Sequence, residues 1–121
     1  MKKLLAILVL GLLFTTSSYP DSDCSSCASE AWDGYRDAKK AYRSSDLSDC
    51  QYYAKKAYRH LSYAESYASD CNCSDAESEA YAGYRDAKKA YRSSDLASCQ
   101  KYARRAKRHA SWTADYANEC D

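Results

Sequence analysis

The strongest constraint on this fold is that the chain contains one unit twice. The stretch from Gly34 to Leu47 recurs identically as Gly83 to Leu96, an offset of 49 residues. Six of the seven cysteines and both histidines obey the same offset. Repeats of this length usually correspond to supersecondary units that stack and bury a shared core. We therefore expect a single helical domain over residues 24–121, made of repeat one (24–71) and repeat two (73–120).

Each repeat has the periodicity of two helices. Small and apolar residues recur at alternating steps of three and four, as in helices that pack along a seam. Asp46 and Asp95 follow breaks in this pattern and are suited to cap the next helix, and Ser74 with Glu77 has the spacing of a capping box. The sequence predicts an all-α fold of two tandem antiparallel helical hairpins, forming a four-helix bundle or a short helical stack.

The turn of each hairpin carries a family resemblance. Residues 41–50 (AYRSSDLSDC), followed by Tyr53, Lys56 and Ala57, resemble the turn and second helix of a tetratricopeptide repeat. Residues 90–106 are similar. The resemblance implies a helical hairpin whose small residues let its two helices cross closely. It also implies a protein-binding scaffold.

The cysteines are expected to staple the hairpins. Antiparallel helices place Cys24, Cys71, Cys73 and Cys120 at the open end, opposite the turns. Repeat symmetry predicts the disulfides Cys24–Cys71 and Cys73–Cys120, each stabilising the fold by about 4 kcal/mol on the chain-entropy model. Because Cys71 lies ~7 Å further along its helix than Cys24, closure requires either extended backbone at residues 24–26 or a bend at the end of helix two.

Two further cysteines lie near the turns. Cys50 and Cys99 occupy seam positions, where they are either small buried residues or a bonded pair. A bond between them requires that helices two and four are neighbours. In an up-down bundle we expect these helices to be diagonal and the two cysteines to be too far apart.

The seventh cysteine, Cys27, has no counterpart, because position 76 is Ala. An unpaired cysteine in an exported protein indicates a free thiol or a bond to another chain. A competing interpretation is a zinc site that takes four thiolates from the open end. Its ligands are Cys24, Cys27, Cys71 and Cys73.

The start of the chain predicts export. Lys2 and Lys3 precede an apolar stretch from Leu4 to Phe14 and a small-residue region, as in a bacterial-type signal peptide over 1–18 followed by a linker over 19–23. The apolar stretch is too short to cross a bilayer, so we expect no transmembrane anchor after signal removal. This predicts a periplasmic or secreted protein, in a compartment where disulfides persist. Near-neutral net charge predicts no nucleic-acid partner.

Two surfaces are candidates for interaction. The first comprises residues spaced by seven along one edge of each second helix: Tyr53, His60, Tyr67, Tyr102, His109 and Tyr116. They form either a metal or partner site or, as the amphipathic rings favour, a flank of the seam. The second is the densest basic run: Lys101, Arg104, Arg105 and Arg108. It is either a polyanion contact or, the interpretation we favour, a solvated face balanced by Asp115, Glu119 and Asp121.

No phosphate loop, nucleophile elbow or HExxH motif occurs, so the sequence predicts neither an enzyme nor a cofactor. We expect an exported helical scaffold or protein-interaction module whose Tyr-rich faces contact an unknown protein or a second copy. The first alternative is a metal-binding or redox protein that uses the cysteine cluster. The second is a polyanion or cell-envelope binder that uses the basic face of helix four.

Overall fold

Four α-helices form the described part of the chain, which in this computed structural model is residues 24–120. They are α1 (24–42), α2 (Leu47–Asp70), α3 (Ser74–Tyr91) and α4 (Leu96–Glu119), with no strand between 24 and 120. The all-α, helical-hairpin prediction is confirmed. The predicted signal peptide and linker, residues 1–23, lie outside the described residues, as does Asp121. Within 24–120, none of the helices has the length and apolarity needed to span a bilayer.

Local capping sets the helix boundaries. Asp46 and Asp95 cap α2 and α4: their carboxylates accept from the backbone N–H of Asp49 at 2.9 Å and of Ser98 at 2.7 Å. The predicted capping box at Ser74 is wrong, because α3 already begins at Ser74 and no side chain caps it. Glu77 instead donates its backbone N–H to the carbonyl of Cys73.

The connection between the two hairpins is only three residues long, from Cys71 to Cys73, and the backbone of Asn72 makes this possible. Asn72 adopts a left-handed backbone (φ 61°), which Asn tolerates better than most residues. The backbone N–H of Asn72 donates to the carbonyl of Ser69 at 3.2 Å. The backbone N–H of Cys73 donates to the carbonyl of Ala68 at 2.9 Å. This is the hydrogen-bond pattern of a Schellman motif, which ends α2 and reverses the chain.

The two hairpins close into a bundle, and reciprocal contacts relate them. The Gln51 side chain donates to the carbonyl of Ser93, and the Gln100 side chain donates to that of Ser44, both at 2.8 Å. These contacts join the second helix of each hairpin to the turn of the other. Lys107 on α4 also lies over the ring of Tyr42 on α1, 5.4 Å from its centroid. Because α4 returns to α1, the arrangement is a four-helix bundle with approximate two-fold symmetry.

The core consists almost entirely of small residues. Each of its three layers takes residues from all four helices, and most of these are alanines with essentially no exposure. Alanine side chains let helix axes approach closely, yet each contributes little transfer free energy at about 25 cal/mol per Å². A domain with such a core is expected to need covalent support.

Three disulfides supply that support. Cys24–Cys71 and Cys73–Cys120, the pairs that repeat symmetry predicts, tie the open end, with Cα separations of 5.5 and 5.9 Å. Residues 24–26 are helical, so the extended backbone considered above is not used. α2 ends at Asp70, so Cys71 lies at its C-cap, where the backbone leaves the helix.

The third disulfide corrects an expectation. Cys50 and Cys99 are bonded, with a Cα separation of 6.3 Å, although α2 and α4 are diagonal in the bundle. The expectation that this diagonal is too long for a disulfide is wrong. Here the facing positions beside the cysteines, Ala54 and Ala103, are buried alanines, so this diagonal is short enough for two sulfurs to meet.

One large side chain breaks the repeat at the centre of the core. Leu61 is fully buried, whereas the equivalent position in repeat two is Ala110. A Cβ built on Gly34 would come within 3.0 Å of Leu61, and one built on Gly83 within 3.1 Å. Leu61 thus lies against both glycines, which belong to α1 and α3.

Leu61→Ala is expected to be among the most damaging single changes in this core. Deleting the side chain leaves a cavity between helices that the three disulfides hold in position, and such substitutions typically cost about 2–5 kcal/mol. Thermal and urea unfolding of the oxidised chain would measure this cost. Ala110→Gly, the matched change at the equivalent position, should cost about 1 kcal/mol. Equal losses for the two variants would contradict the central role of Leu61.

Candidate functional site: a basic, tyrosine-rich half and two histidine–carboxylate clusters

Charge is segregated along the bundle axis. All sixteen Lys and Arg of residues 24–120 fall in 36–59 and 85–108, the segments that flank the two turns, together with only five carboxylates. We call these segments the basic half. The remaining segments (24–35, 60–84 and 109–120), the acidic half, carry nine carboxylates and no Lys or Arg. Although the net charge is near zero, the basic half has a positive potential and the acidic half a negative one, and each attracts ions of the opposite charge.

Tyrosines, more than carboxylates, are the partners of these cations. Among residues 24–120, only Arg36 and Arg105 lie within 4.0 Å of a carboxylate, that of Asp33 and Asp86 respectively. Ten cations instead lie 5.4–6.0 Å from the centroid of a tyrosine ring. The ring face attracts the cation without neutralising its charge. The basic half therefore keeps its positive potential while its long side chains are partly ordered.

Three open grooves concentrate this pattern. The α1 groove, of about 500 Å³, is lined by Arg36, Lys39, Lys40, Arg43 and Tyr53. The α3 groove, of about 300 Å³, is lined by Tyr81, Tyr84, Arg85, Lys88, Lys89 and Arg92. The α4 groove, of about 360 Å³, is lined by Tyr42, Ala97, Gln100, Lys101, Arg104, Arg105 and Arg108. Each groove has four cations, at least one tyrosine and no carboxylate.

The α4 groove contains the basic run singled out from the sequence. Arg104 and Arg105 lie three and four residues after Lys101 and four and three before Arg108, so all four share one side of α4 and line a groove with Tyr42. Among residues 24–120, none of the acidic residues expected to balance these cations lies within 4.0 Å of them. Asp115 lies seven residues beyond Arg108, or ~10 Å of helix rise, in the acidic half. Of the four cations, only Arg105 has a carboxylate of residues 24–120 within 4.0 Å, that of Asp86 at 3.9 Å.

Each hairpin also contains a histidine held between two carboxylates. His60 Nδ1 lies 2.7 Å from Glu30 Oε1, and its Nε2 lies 3.5 Å from Asp37 Oδ2. In repeat two, His109 Nδ1 lies 2.6 Å from Glu79 Oε1 and its Nε2 lies 3.6 Å from Asp86 Oδ2. Asp37 and Asp86 are almost completely buried. These clusters join the two helices of each hairpin near the boundary of the basic and acidic halves.

The predicted tyrosine–histidine surface is not a single exposed face. Tyr53 and Tyr102 pack against the core layer near the turns, and Tyr67 packs against the layer at the open end. Only Tyr116 of the six is exposed. The most exposed rings are elsewhere: Tyr52 and Tyr63 on α2, and Tyr81 and Trp112 on the second hairpin. The predicted residues therefore lie along the flank of the seam, and the histidines contact carboxylates, not tyrosines.

The proposed thiolate zinc site is wrong for this structure. Cys24 and Cys71 are bonded to each other and Cys73 is bonded to Cys120, so only Cys27 retains a thiol. Cys27 is completely buried, and burial raises its pKa from 9.0 to about 11. A thiol that is protonated and inaccessible at neutral pH is a poor nucleophile and a poor partner for a bond to another chain.

Cys27 should not react with thiol reagents until the protein unfolds. In the native oxidised chain we expect essentially no reaction with Ellman's reagent at pH 8, and one thiol per chain in 6 M guanidinium chloride. Cys27→Ala should abolish the second signal and cost at most about 1 kcal/mol, because Ala76 fills the equivalent position. Rapid titration of one thiol in the native state would show that this part of the core is open.

Like charges crowd the acidic half. Glu65 on α2 and Glu77 on α3 line the same surface groove. Partial burial and, secondarily, the charge of Glu77 raise the pKa of Glu65. A carboxyl whose pKa is raised by folding opposes folding when it is ionised, so this cost is absent below its unfolded pKa of about 4.5 and grows as the pH rises.

Glu65→Gln is accordingly expected to stabilise the protein slightly at pH 7. The gain should fade as the pH falls towards 4, where the wild-type carboxyl is protonated in both states. Paired thermal melts of the two proteins between pH 4 and 7 would measure it. Asp115→Asn, an exposed change on α4 in the same acidic half, serves as the control. A stabilisation that persists unchanged at pH 4 would rule out this electrostatic cause.

Comparisons with known proteins give no family. No protein-family model, no curated protein and no solved structure matches this chain. The resemblance of residues 41–57 and 90–106 to tetratricopeptide repeats therefore stays a prediction.

Sequence reasoning missed the carboxylates that complete the histidine clusters. A signal was available, because Glu30 and His60 recur together as Glu79 and His109, with the same separation of 30 residues. Asp37 recurs as Asp86 within the identical stretch. The segregation of Lys and Arg into two blocks was also readable, but only the antiparallel fold shows that both blocks lie at the same end.

Proposed function

We propose that this chain is an exported, non-enzymatic helical binding module, and that its basic half holds an anionic polymer of the cell envelope. The observation that carries the proposal is the set of three grooves defined above. Each pairs four cations with tyrosine rings and has no carboxylate in its lining. Such a groove is suited to a phosphate or sulfate group, which accepts hydrogen bonds from Arg and Lys.

The shape of the surface favours a polymer over a small ligand. The grooves are open and shallow, whereas small-molecule sites usually enclose most of their ligand. The four cations of the α1 groove are equivalent by the repeat to those of the α3 groove, so the same set of positive charges is offered twice. A chain with a charge on every unit can contact several grooves and release the counter-ions of each, which makes its binding strongly salt-dependent.

Export and the lack of enzymatic activity are parts of the same proposal. Three disulfides, two at the open end and one near the turns, are typical of oxidising compartments. The predicted signal peptide agrees with them. The free thiol is buried, and both ring nitrogens of each histidine face a carboxylate. None of these groups is arranged as an activated nucleophile.

Removing two cations from the α4 groove should weaken polymer binding. Arg104→Gln with Arg108→Gln removes two charges, and the slope of log affinity against log salt should become shallower by about 2. Fluorescence anisotropy with labelled long-chain polyphosphate, at 25–300 mM NaCl, measures affinity and slope. Polygalacturonate in parallel distinguishes phosphate-bearing from carboxylate-bearing polymers.

The matched control makes the same change in net charge at the other end of the bundle. Ser69→Glu with Asn118→Glu places two new charges at exposed positions of the acidic half, and should leave binding nearly unchanged. Equal losses in the two double variants, or no binding by the wild type at 25 mM NaCl, would refute the proposal. Salt-sensitive oligomers in sedimentation, without polymer binding, would show instead that the basic half docks on the acidic half of another copy.

A further inference from the structure

The cluster around His60 contains one more carboxylate than its counterpart around His109. Asp33 lies one turn after Glu30 on the same face of α1, and both face His60 on α2. One ligand atom from each of these residues lies within 4.8 Å of the other two. All three side chains are partly exposed, so an ion from solvent can reach them.

Asp37 is an independent feature that prepares His60 to bind an ion. Its side chain is only 10% exposed, and its Oδ2 lies 3.5 Å from His60 Nε2. Histidines that bind metals almost always donate their second ring N–H to a carboxylate or carbonyl, which fixes the tautomer and the ring orientation. At 3.5 Å, the Asp37 carboxylate is close enough to accept the Nε2 proton once an ion takes the place of a proton on Nδ1, the nitrogen that lies 2.7 Å from Glu30 Oε1.

We propose that Glu30, Asp33 and His60 form a binding site for a divalent transition-metal ion. One imidazole nitrogen and two carboxylate oxygens suit a borderline cation, and affinities in such N/O sites rise from Mn²⁺ towards Cu²⁺ and Zn²⁺. The ion replaces the hydrogen bond between His60 and Glu30. It also displaces Arg36 from Asp33, and this guanidinium is 63% exposed and free to move. The two carboxylates neutralise the charge of the ion.

Repeat two provides a control within the same molecule. It retains Glu79, His109 and the buried Asp86, but Ala82 stands where repeat one has Asp33. In addition, Arg105 lies 3.9 Å from Asp86 and lines the same pocket as His109, whereas the equivalent residue in repeat one is Lys56. Two ligands beside a fixed positive charge form a weak site. The proposal therefore requires one metal ion per chain.

Isothermal titration of the oxidised full chain with Zn²⁺ tests this requirement. The wild type should bind one ion, and Asp33→Ala should abolish that event. Ala82→Asp combined with Arg105→Lys copies repeat one into repeat two and should raise the stoichiometry to two. The Asp37→Asn variant should still bind one ion, but with an affinity about 10–100-fold lower. This is the usual effect of removing a carboxylate that hydrogen-bonds a metal ligand.

Two further measurements separate a metal site from a folding defect. Circular dichroism with EDTA should show the same helix content for all variants. In ¹⁵N NMR of the side chains, Zn²⁺ should shift Nδ1 of His60 and leave His109 unchanged in the wild type. No Zn²⁺ binding below 1 mM, a stoichiometry unaffected by Asp33→Ala, or equal shifts at both histidines would overturn the proposal.

Discussion

The whole structure depends on close approach between helices whose facing residues are alanine and glycine. Because these side chains are small, the α2–α4 diagonal becomes short enough for the Cys50–Cys99 bond, and one leucine, Leu61, reaches both Gly34 and Gly83. The same smallness limits the hydrophobic free energy of the core. The disulfides and the alanine seam therefore depend on each other. The small seam residues let the helices come close enough for the disulfides to form, and the disulfides stabilise a core whose hydrophobic free energy is small.

A small-residue core also explains why the tyrosines are placed as they are. With the interior filled by alanine, large rings have no room inside and flank the seam, where Lys and Arg lie over their faces. In the basic half this arrangement orders the cations without neutralising them. In the acidic half, which has no Lys or Arg of its own, the histidines contact carboxylates instead. The small-residue core therefore determines both where the tyrosines pack and which charged side chains they contact, and the candidate surfaces result from these two effects.

The two repeats differ at the α4 groove and at the histidine clusters, whereas the cations of the α1 and α3 grooves are identical. Tyr58 of repeat one packs between α2 and α3 against Tyr84, whereas its equivalent, Lys107, lies over Tyr42 in the α4 groove. Asp33 of repeat one is replaced by Ala82. After a duplication, the core positions must stay small for both hairpins to pack, but the outer positions are free to change. The second hairpin is more basic on its second helix, and the first has a third carboxylate beside its histidine.

The sequence by itself determined the helices, their boundaries at Asp46 and Asp95, and the pairs at the open end, because periodicity, capping and repeat symmetry are local or arithmetical properties. It also contained the two blocks of Lys and Arg. Only the tertiary structure decided that α4 returns to α1, that Cys50 reaches Cys99, and that Glu30, Asp33 and Asp37 surround His60. These outcomes depend on how far apart the helix axes lie and on which faces meet across them. Spacing along one chain does not specify either quantity.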